Sequence, residues 1–231
     1  FVVSGFLITS LLVAEKTKTG KVSLGAFYAR RARRILPVSA LVAVTTLIAS
    51  WIWLEPLRLR SLSNDVLAVA LFSSNFVFAN RGADYLQSAL PPSPLQHYWS
   101  LAVEEQFYVV WPALVMLVCL GVGTRTVRNV RLRVGVTAGI ASVVSFIACM
   151  ALMNSSQPWA FFSPHTRAFE LAIGALVAVI PIGASITLAR VNALLAWCGL
   201  AGIIATVVMF SETTTFPGPW ALAPVMATAF L

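Results

Sequence analysis

The sequence predicts an all-α protein, a polytopic transmembrane helical bundle of about seven spans with one re-entrant segment. Three observations carry this expectation. Of the 231 residues, 59% are hydrophobic and only 10% charged, with a mean hydropathy of +0.87, whereas soluble domains carry about 25% charged residues. Apolar runs of about 20 residues recur from end to end, and in lipid only helices or closed barrels satisfy the backbone. The sixteen Lys and Arg residues, set against eight Asp and Glu, gather between those runs, which is the positive-inside pattern. That pattern explains the net charge of +8 without nucleic acid, which is not expected as a partner.

Taken in order, run 1–14 has no basic flank ahead of it and reads as the later part of a span rather than a signal peptide. The last run, 220–231, reads likewise as a truncated span, so one membrane domain, truncated at both ends, is expected over 1–231. Residues 15–34 form a polar loop holding Lys16, Lys18, Lys21, Arg30, Arg31, Arg33 and Arg34, seven of the sixteen positives, and are placed in the cytoplasm. Span 35–54 follows, with Pro37 in its first turn, where a missing N–H costs little, and Trp51 and Trp53 as interfacial anchors. Residues 62–79 are long enough for a short span but contain Asn64, Asp65, Ser73, Ser74 and Asn75.

Topology arbitrates there. Arg125, Arg128, Arg131 and Arg133 form a second basic loop, and it returns to the cytoplasm only if 62–79 does not cross. That segment is therefore read as re-entrant or interfacial. Residues 81–96, with Pro91, Pro92 and Pro94, make an external loop leading into the span that starts near Tyr98. Spans 134–153, 167–182, 191–210 and 220–231 complete the bundle, with 154–166 and 211–219 outside and 183–190 inside. Cys119, Cys149 and Cys198 sit in apolar runs without metal-ligand spacing, so they read as small buried hydrophobes and no metal is expected.

Chemistry concentrates in HYWSLAVEEQFYVVWP (97–112). On a helix, His97, Ser100, Glu104, Tyr108 and Trp111 fall within about 80° of one another, and Glu105 points to one side. A carboxylate at a helix centre in the bilayer costs roughly 2.5 to 3.5 kcal/mol on insertion scales, so it faces a partner or a wet cavity. His97 oriented by Glu104 could activate a hydroxyl; equally, Glu104 and Glu105 could pair with arginine or sit near a helix start, where the dipole favours them.

A second candidate is FYARRARRILP (27–37). Arg31 and Arg34, three apart, share a helix face and suit bidentate binding of phosphate; a plain anchor to anionic lipid needs only their charge. In FFSPHTRAFELAIG (161–174), Arg167 and Glu170 are spaced for an ion pair, most simply a structural one, and His165 is a lone loop histidine. Asp65, Asn75 and Asp84 are further candidate acceptor-binding groups. There is no Gly-rich phosphate loop, HExxH or nucleophile elbow.

FVVSGFLIT (1–9), FYxRRxRRILP (27–37) and HYWSLxVEEQFY (97–108), in that order, closely resemble the acyltransferase-3 family of integral membrane O-acyltransferases, and SPHTRAFELAIG (163–174) matches a further family segment. The resemblance implies a bacterial, multi-pass protein of the cytoplasmic membrane. It would transfer an acyl group, commonly acetyl, from cytoplasmic acyl-CoA to a hydroxyl of an envelope carbohydrate or lipid-linked glycan. The family's R-x-x-R element falls on Arg31 and Arg34, which would hold the coenzyme A phosphates. His97, Glu104 and Glu105 would belong to the acceptor side of the core as catalytic groups, with Ser100, Tyr108, Arg167 and Glu170 binding substrate. The family's first helix, upstream of the Ser-Gly-Phe-Leu element, carries a histidine taken as the base; residues 1–231 alone would lack it and be inactive.

Two other readings compete. A transporter or exporter of a modified glycan would line its path with the same polar residues, but the paired, Gly/Pro-interrupted halves expected of one are not convincing here. A non-catalytic membrane scaffold is the third.

Overall fold

The computed structural model describes residues 1–84, 91–121, 127–181, 186–211 and 214–231. Arg125 and parts of loops 81–96, 183–190 and 211–219 therefore lie outside the described residues. Among those described there are helices and no strands: α1 (Val2–Thr19), α2 (Leu24–Trp53), α3 (Pro56–Ala70), α4 (Ser74–Ala83), α5 (Tyr98–Val118), α6 (Val127–Met153), α7 (Gln157–Phe162), α8 (Pro164–Val179), α9 (Ile186–Met209), a 3₁₀ turn (Pro219–Ala221) and α10 (Leu222–Phe230).

Four of these are long and apolar enough to cross a membrane: Leu24–Trp53, Tyr98–Val118, Val127–Met153 and Arg190–Met209. The other three expected crossings are helical but fall short of that measure. Helix α1 carries Glu15, Lys16 and Lys18 in its last turns, α8 has 16 residues and α10 has nine. The structure thus gives a helical membrane protein with four such helices.

The expected cytoplasmic loop 15–34 is mostly helix. Helix α1 continues to Thr19 and stops at Gly20, whose φ of 78° is the left-handed cap that favours glycine. Helix α2 already begins at Leu24, and the Glu15 carboxylate accepts the Ser23 N–H at 2.9 Å just ahead of it. Arginine, alanine and leucine are good helix formers, so basic residues mark where a span leaves the apolar phase, not where its helix ends. Pro37 consequently lies inside α2 rather than in its first turn, and Pro112 lies inside α5. The second basic stretch behaves alike: Arg128, Arg131 and Arg133 are on the first turns of α6.

Residues 62–79 are divided between α3 and α4, which break at Leu71–Ser73 with Phe72 at φ 49°. Neither piece is long and apolar enough to cross. Cys119 and Cys149 are buried as expected; Cys198, on α9, is exposed, and all three are free thiols.

Contacts fix the helix directions. Arg31 meets Glu105 and Tyr98 meets Ser39, so α2 and α5 run antiparallel. Ser4 meets Glu104 and Thr9 meets Trp111, so α1 and α5 run parallel. Ile8, Leu12 and Val13 of α1 pack in one core with Tyr108, Trp111 and Val115 of α5, Val130, Val134 and Ala138 of α6, and Ala175 of α8. The α1–α8 crossing is backbone-close because both sides are glycine: a Cβ on Gly5 would lie 1.8 Å from Leu171 O, and one on Gly174 1.9 Å from Val2 O. Small residues are what let membrane helices approach this closely. Val109, Val110 and Leu117 of α5 and Ile140, Val143 and Ile147 of α6 point outward and are exposed, as a lipid-facing surface requires.

Candidate active site

The two adjacent carboxylates of α5 serve two different helices. Successive helical residues are about 100° apart, so Glu104 faces α1 and Glu105 faces α2. The Ser4 hydroxyl donates to Glu104 Oε1 at 3.1 Å. Arg31 grips Glu105 in a fork: Nε donates to Oε1 at 2.8 Å and to Oε2 at 2.9 Å, and Nη2 also donates to Oε1. The guanidinium lies 3.5 Å from the centroid of the Tyr108 ring, close enough for a cation–π contact. Both charges keep partial access to solvent, with side-chain exposures of 23% and 15%. Tyr28 holds the α2–α5 seam by donating to Val109 O at 2.9 Å. Deeper along α1, Trp111 Nε1 donates to Thr9 Oγ1 at 2.9 Å, both residues being buried.

Alongside lies an amide pair. Gln106 donates to Asn75 Oδ1 at 2.9 Å and to Phe72 O at 2.7 Å, and Asn75 donates to Phe162 O at 3.2 Å. These bonds tie the α3–α4 break and the end of α7 to α5. Three consecutive residues of the EEQ element thus anchor three different neighbours.

The expected site residues are dispersed more widely than the sequence suggests. Arg31 and Glu105, assigned to opposite ends of the chemistry, form one ion pair. Arg34 is exposed, one turn along α2 from Arg31. His97 is exposed at the N-cap of α5, its ring 4.8 Å from that of Tyr98, and no hydrogen bond or ion pair joins it to Glu104 among the described residues. His97 has helical backbone angles (φ −57°, ψ −19°) just ahead of Tyr98, so it stays on the stripe, but seven residues of helix set it about 10 Å along the axis from Glu104. Ser100 donates to the His97 carbonyl at 3.2 Å.

Arg167 and Glu170 do form the expected pair, 2.9 Å apart, with side-chain exposures of 6% and 8%. It is enclosed by aromatic rings: the Arg167 guanidinium lies between 5.1 and 5.6 Å from the centroids of Phe1, Trp99, Phe161 and Phe216. Asp65 is locked by Arg81, which donates to Oδ2 at 2.9 Å; Asp84 caps the end of α4. The partner of Glu104 is Ser4, which the sequence alone does not mark as a site residue. Its signal was its place in a Ser-Gly pair, where Gly5 brings the helix against α8 and leaves Ser4 turned toward α5. Among the described residues no group of His, Cys, Asp and Glu is arranged to hold a metal.

A helical membrane protein with a forked Arg–Glu pair and a hydroxyl–carboxylate pair between three helices is the class that fold and site define. The chain belongs to the acyltransferase-3 family, whose acyltransferase domain matches residues 1–231. It is 32% identical over 181 residues to the peptidoglycan O-acetyltransferase OatA of Listeria monocytogenes, covering 78% of this chain and 28% of that protein. It is 32% identical over 189 residues to the putative peptidoglycan O-acetyltransferase YrhL of Bacillus subtilis, with the same shares covered. To the O-acetyltransferase OatA of Staphylococcus aureus it is 30% identical over 182 residues, covering 78% of this chain and 29% of that protein. The chain therefore spans somewhat over a quarter of the length of these curated relatives. No solved structure matches it.

Proposed function

We propose that this chain is the membrane part of a bacterial O-acyltransferase. It would move an acetyl group from acyl-CoA at the cytoplasmic face to a hydroxyl of peptidoglycan or a lipid-linked glycan precursor. The reading rests on family membership, on relatives named as peptidoglycan O-acetyltransferases, and on one observation: the two carboxylates of α5 partnered by Arg31 of α2 and Ser4 of α1. Intramembrane carboxylates facing partners inside a bundle mark functional paths.

In this reading Arg31 and Arg34 bind the phosphates of the donor, Arg34 from the exposed face of α2 and Arg31 from the site itself. Glu105 and the Tyr108 ring hold the Arg31 guanidinium in one orientation, so the donor meets a preset fork. Glu104, oriented by Ser4, orients the acceptor hydroxyl and helps take its proton as that oxygen attacks the thioester carbonyl. The carbon–sulfur bond then breaks, and coenzyme A leaves as the thiolate. His97 and Ser100, at the start of α5, meet the acceptor, and the buried Arg167–Glu170 pair holds the wall beside it. The donor, the acceptor and the bacterial cytoplasmic membrane as location are all parts of this proposal.

The test is binding of labelled acetyl-CoA to the full-length protein in detergent. Saturable binding that disappears in Arg31→Ala/Arg34→Ala, with size-exclusion behaviour unchanged, is expected. Undiminished binding in that variant would remove the donor site from α2, and no binding by folded wild type would favour a transporter.

A further inference from the structure

We infer that the groove between α6 and the end of α8, at the basic end of α6, binds an anionic phospholipid. The groove has a volume of about 590 Å³ and is walled by Arg128, Arg131, Leu132 and Val136 of α6 against Val179 and Pro181. Its depth comes from Gly135, where even a Cβ would come within 3.3 Å of Val179 Cγ2.

Its chemistry is two-ended. Arg128 and Arg131 are three apart and share a face of α6, and neither has a carboxylate partner among the described residues. The Arg131 Nε is buried and has no hydrogen-bond partner. Neighbouring Arg133 differs: it donates to Val118 O at 3.0 Å and to Leu120 O at 3.2 Å and so closes the end of α5. Two cations are thus left with no ion-pair partner among the described residues at the mouth of the groove.

The rest of the groove is apolar and faces outward, Leu132 being 62% and Val136 54% exposed. They lie on a helix long and apolar enough to cross a membrane, so this surface meets lipid tails. A diacyl phosphodiester matches both ends: its phosphate between the two guanidinium groups, and its acyl chains along Leu132, Val136 and Val179. Basic pockets between helices on the cytoplasmic side are where acidic head groups are held. Coenzyme A fits the arginines but not the remaining walls, where the described lining side chains offer nothing polar to an adenine or a ribose. The inference does not depend on the acyl-transfer reading, because it uses no residue of that site.

The experiment is native mass spectrometry of the full-length protein titrated with dioleoyl phosphatidylglycerol and, separately, with dioleoyl phosphatidylcholine. Saturable retention of phosphatidylglycerol but not phosphatidylcholine is expected. Arg128→Ala/Arg131→Ala should weaken it roughly 30-fold, about five- to sixfold for each cation removed from beside an acidic lipid. The Arg128→Lys/Arg131→Lys variant should recover most of the loss, which separates lost charge from lost folding. Equal retention of the two lipids, or phosphatidylglycerol binding that survives the alanine pair, would overturn the inference. A third arm adds coenzyme A: competition with the lipid, lost in the alanine pair, would make the groove a donor pocket and overturn it as well.

Discussion

Replacing Glu105 by glutamine separates a structural ion pair from a donor-binding one, because the two roles predict opposite signs. In the wild type Arg31 gives Glu105 a fork of charge-assisted hydrogen bonds. The amide keeps the shape and one acceptor oxygen but loses the charge, so stability should fall by about 1.5 to 3 kcal/mol, the usual worth of a hydrogen bond to a charged group. Complete rupture of a buried pair costs about 3 to 5 kcal/mol; the partial exposure of both side chains keeps the loss below that. Binding should move the other way. A phosphate on Arg31 would lie roughly 6 Å from the Glu105 carboxylate, and at an effective dielectric of about 20 the repulsion is about 3 kcal/mol. Solvent screening brings this to about half, so Glu105→Gln should bind labelled acetyl-CoA roughly tenfold tighter while unfolding earlier in a denaturant titration. Arg31→Ala should lose both. If Glu105→Gln binds donor no better than wild type, or weaker in step with its lost stability, Arg31 serves the fold alone and the donor site must lie elsewhere.

Other expectations follow from single contacts. Gly5→Ala forces a methyl carbon onto the Leu171 carbonyl, so α1 and α8 must separate; the cost should exceed the usual ~1–3 kcal/mol of overpacking and show as lost folded yield on size exclusion. Gly139→Ala, in the middle of α6 where a Cβ meets nothing within 4 Å, should instead raise stability by roughly 0.5–1 kcal/mol in thermal unfolding. Gln106→Leu strands Phe72 O and the Asn75 amide and should cost about 1 to 3 kcal/mol, with coupling to Asn75→Leu visible in a double-mutant cycle. Ser4→Ala should leave donor binding unchanged and lower turnover, since Glu104 loses the donor that orients it; unchanged turnover would show that Ser4 only fills space.

Fold class was open to reading because it depends on composition, which a helix in lipid cannot disguise. Helix boundaries were not. Charge tells where a chain leaves the apolar phase, but Arg30 to Arg34 and Arg128 to Arg133 propagate a helix as well as leucine does, so these described parts of the two basic stretches lie in α2 and α6. The site was half legible. Glu104 and Glu105 stand out as charges in an apolar setting and Arg31 as part of an R-x-x-R spacing, yet nothing local says that Arg31 reaches Glu105, 74 residues away. A shared stripe also says nothing about reach: His97 and Glu104 are seven residues apart, which is about 10 Å along a helix axis, so the stripe alone does not make them a hydrogen-bonded pair.

What joins the legible and the illegible parts is the EEQ element itself. Read along the chain, two adjacent carboxylates look like a catalytic pair, since adjacency suggests a shared task. On a helix adjacency means the reverse. A step of about 100° sends Glu104 to Ser4 on α1, Glu105 to Arg31 on α2, and Gln106 to Asn75 and the α3–α4 break. Each residue is therefore a brace to a separate part of the bundle, and α5 is the post on which they meet. A substitution in any of the three should disturb the position of the other two. For that reason activity loss alone cannot assign chemistry to Glu104 or Glu105. The assignment needs a variant in which stability and donor binding move in opposite directions, and Glu105→Gln is the position where the geometry makes that possible.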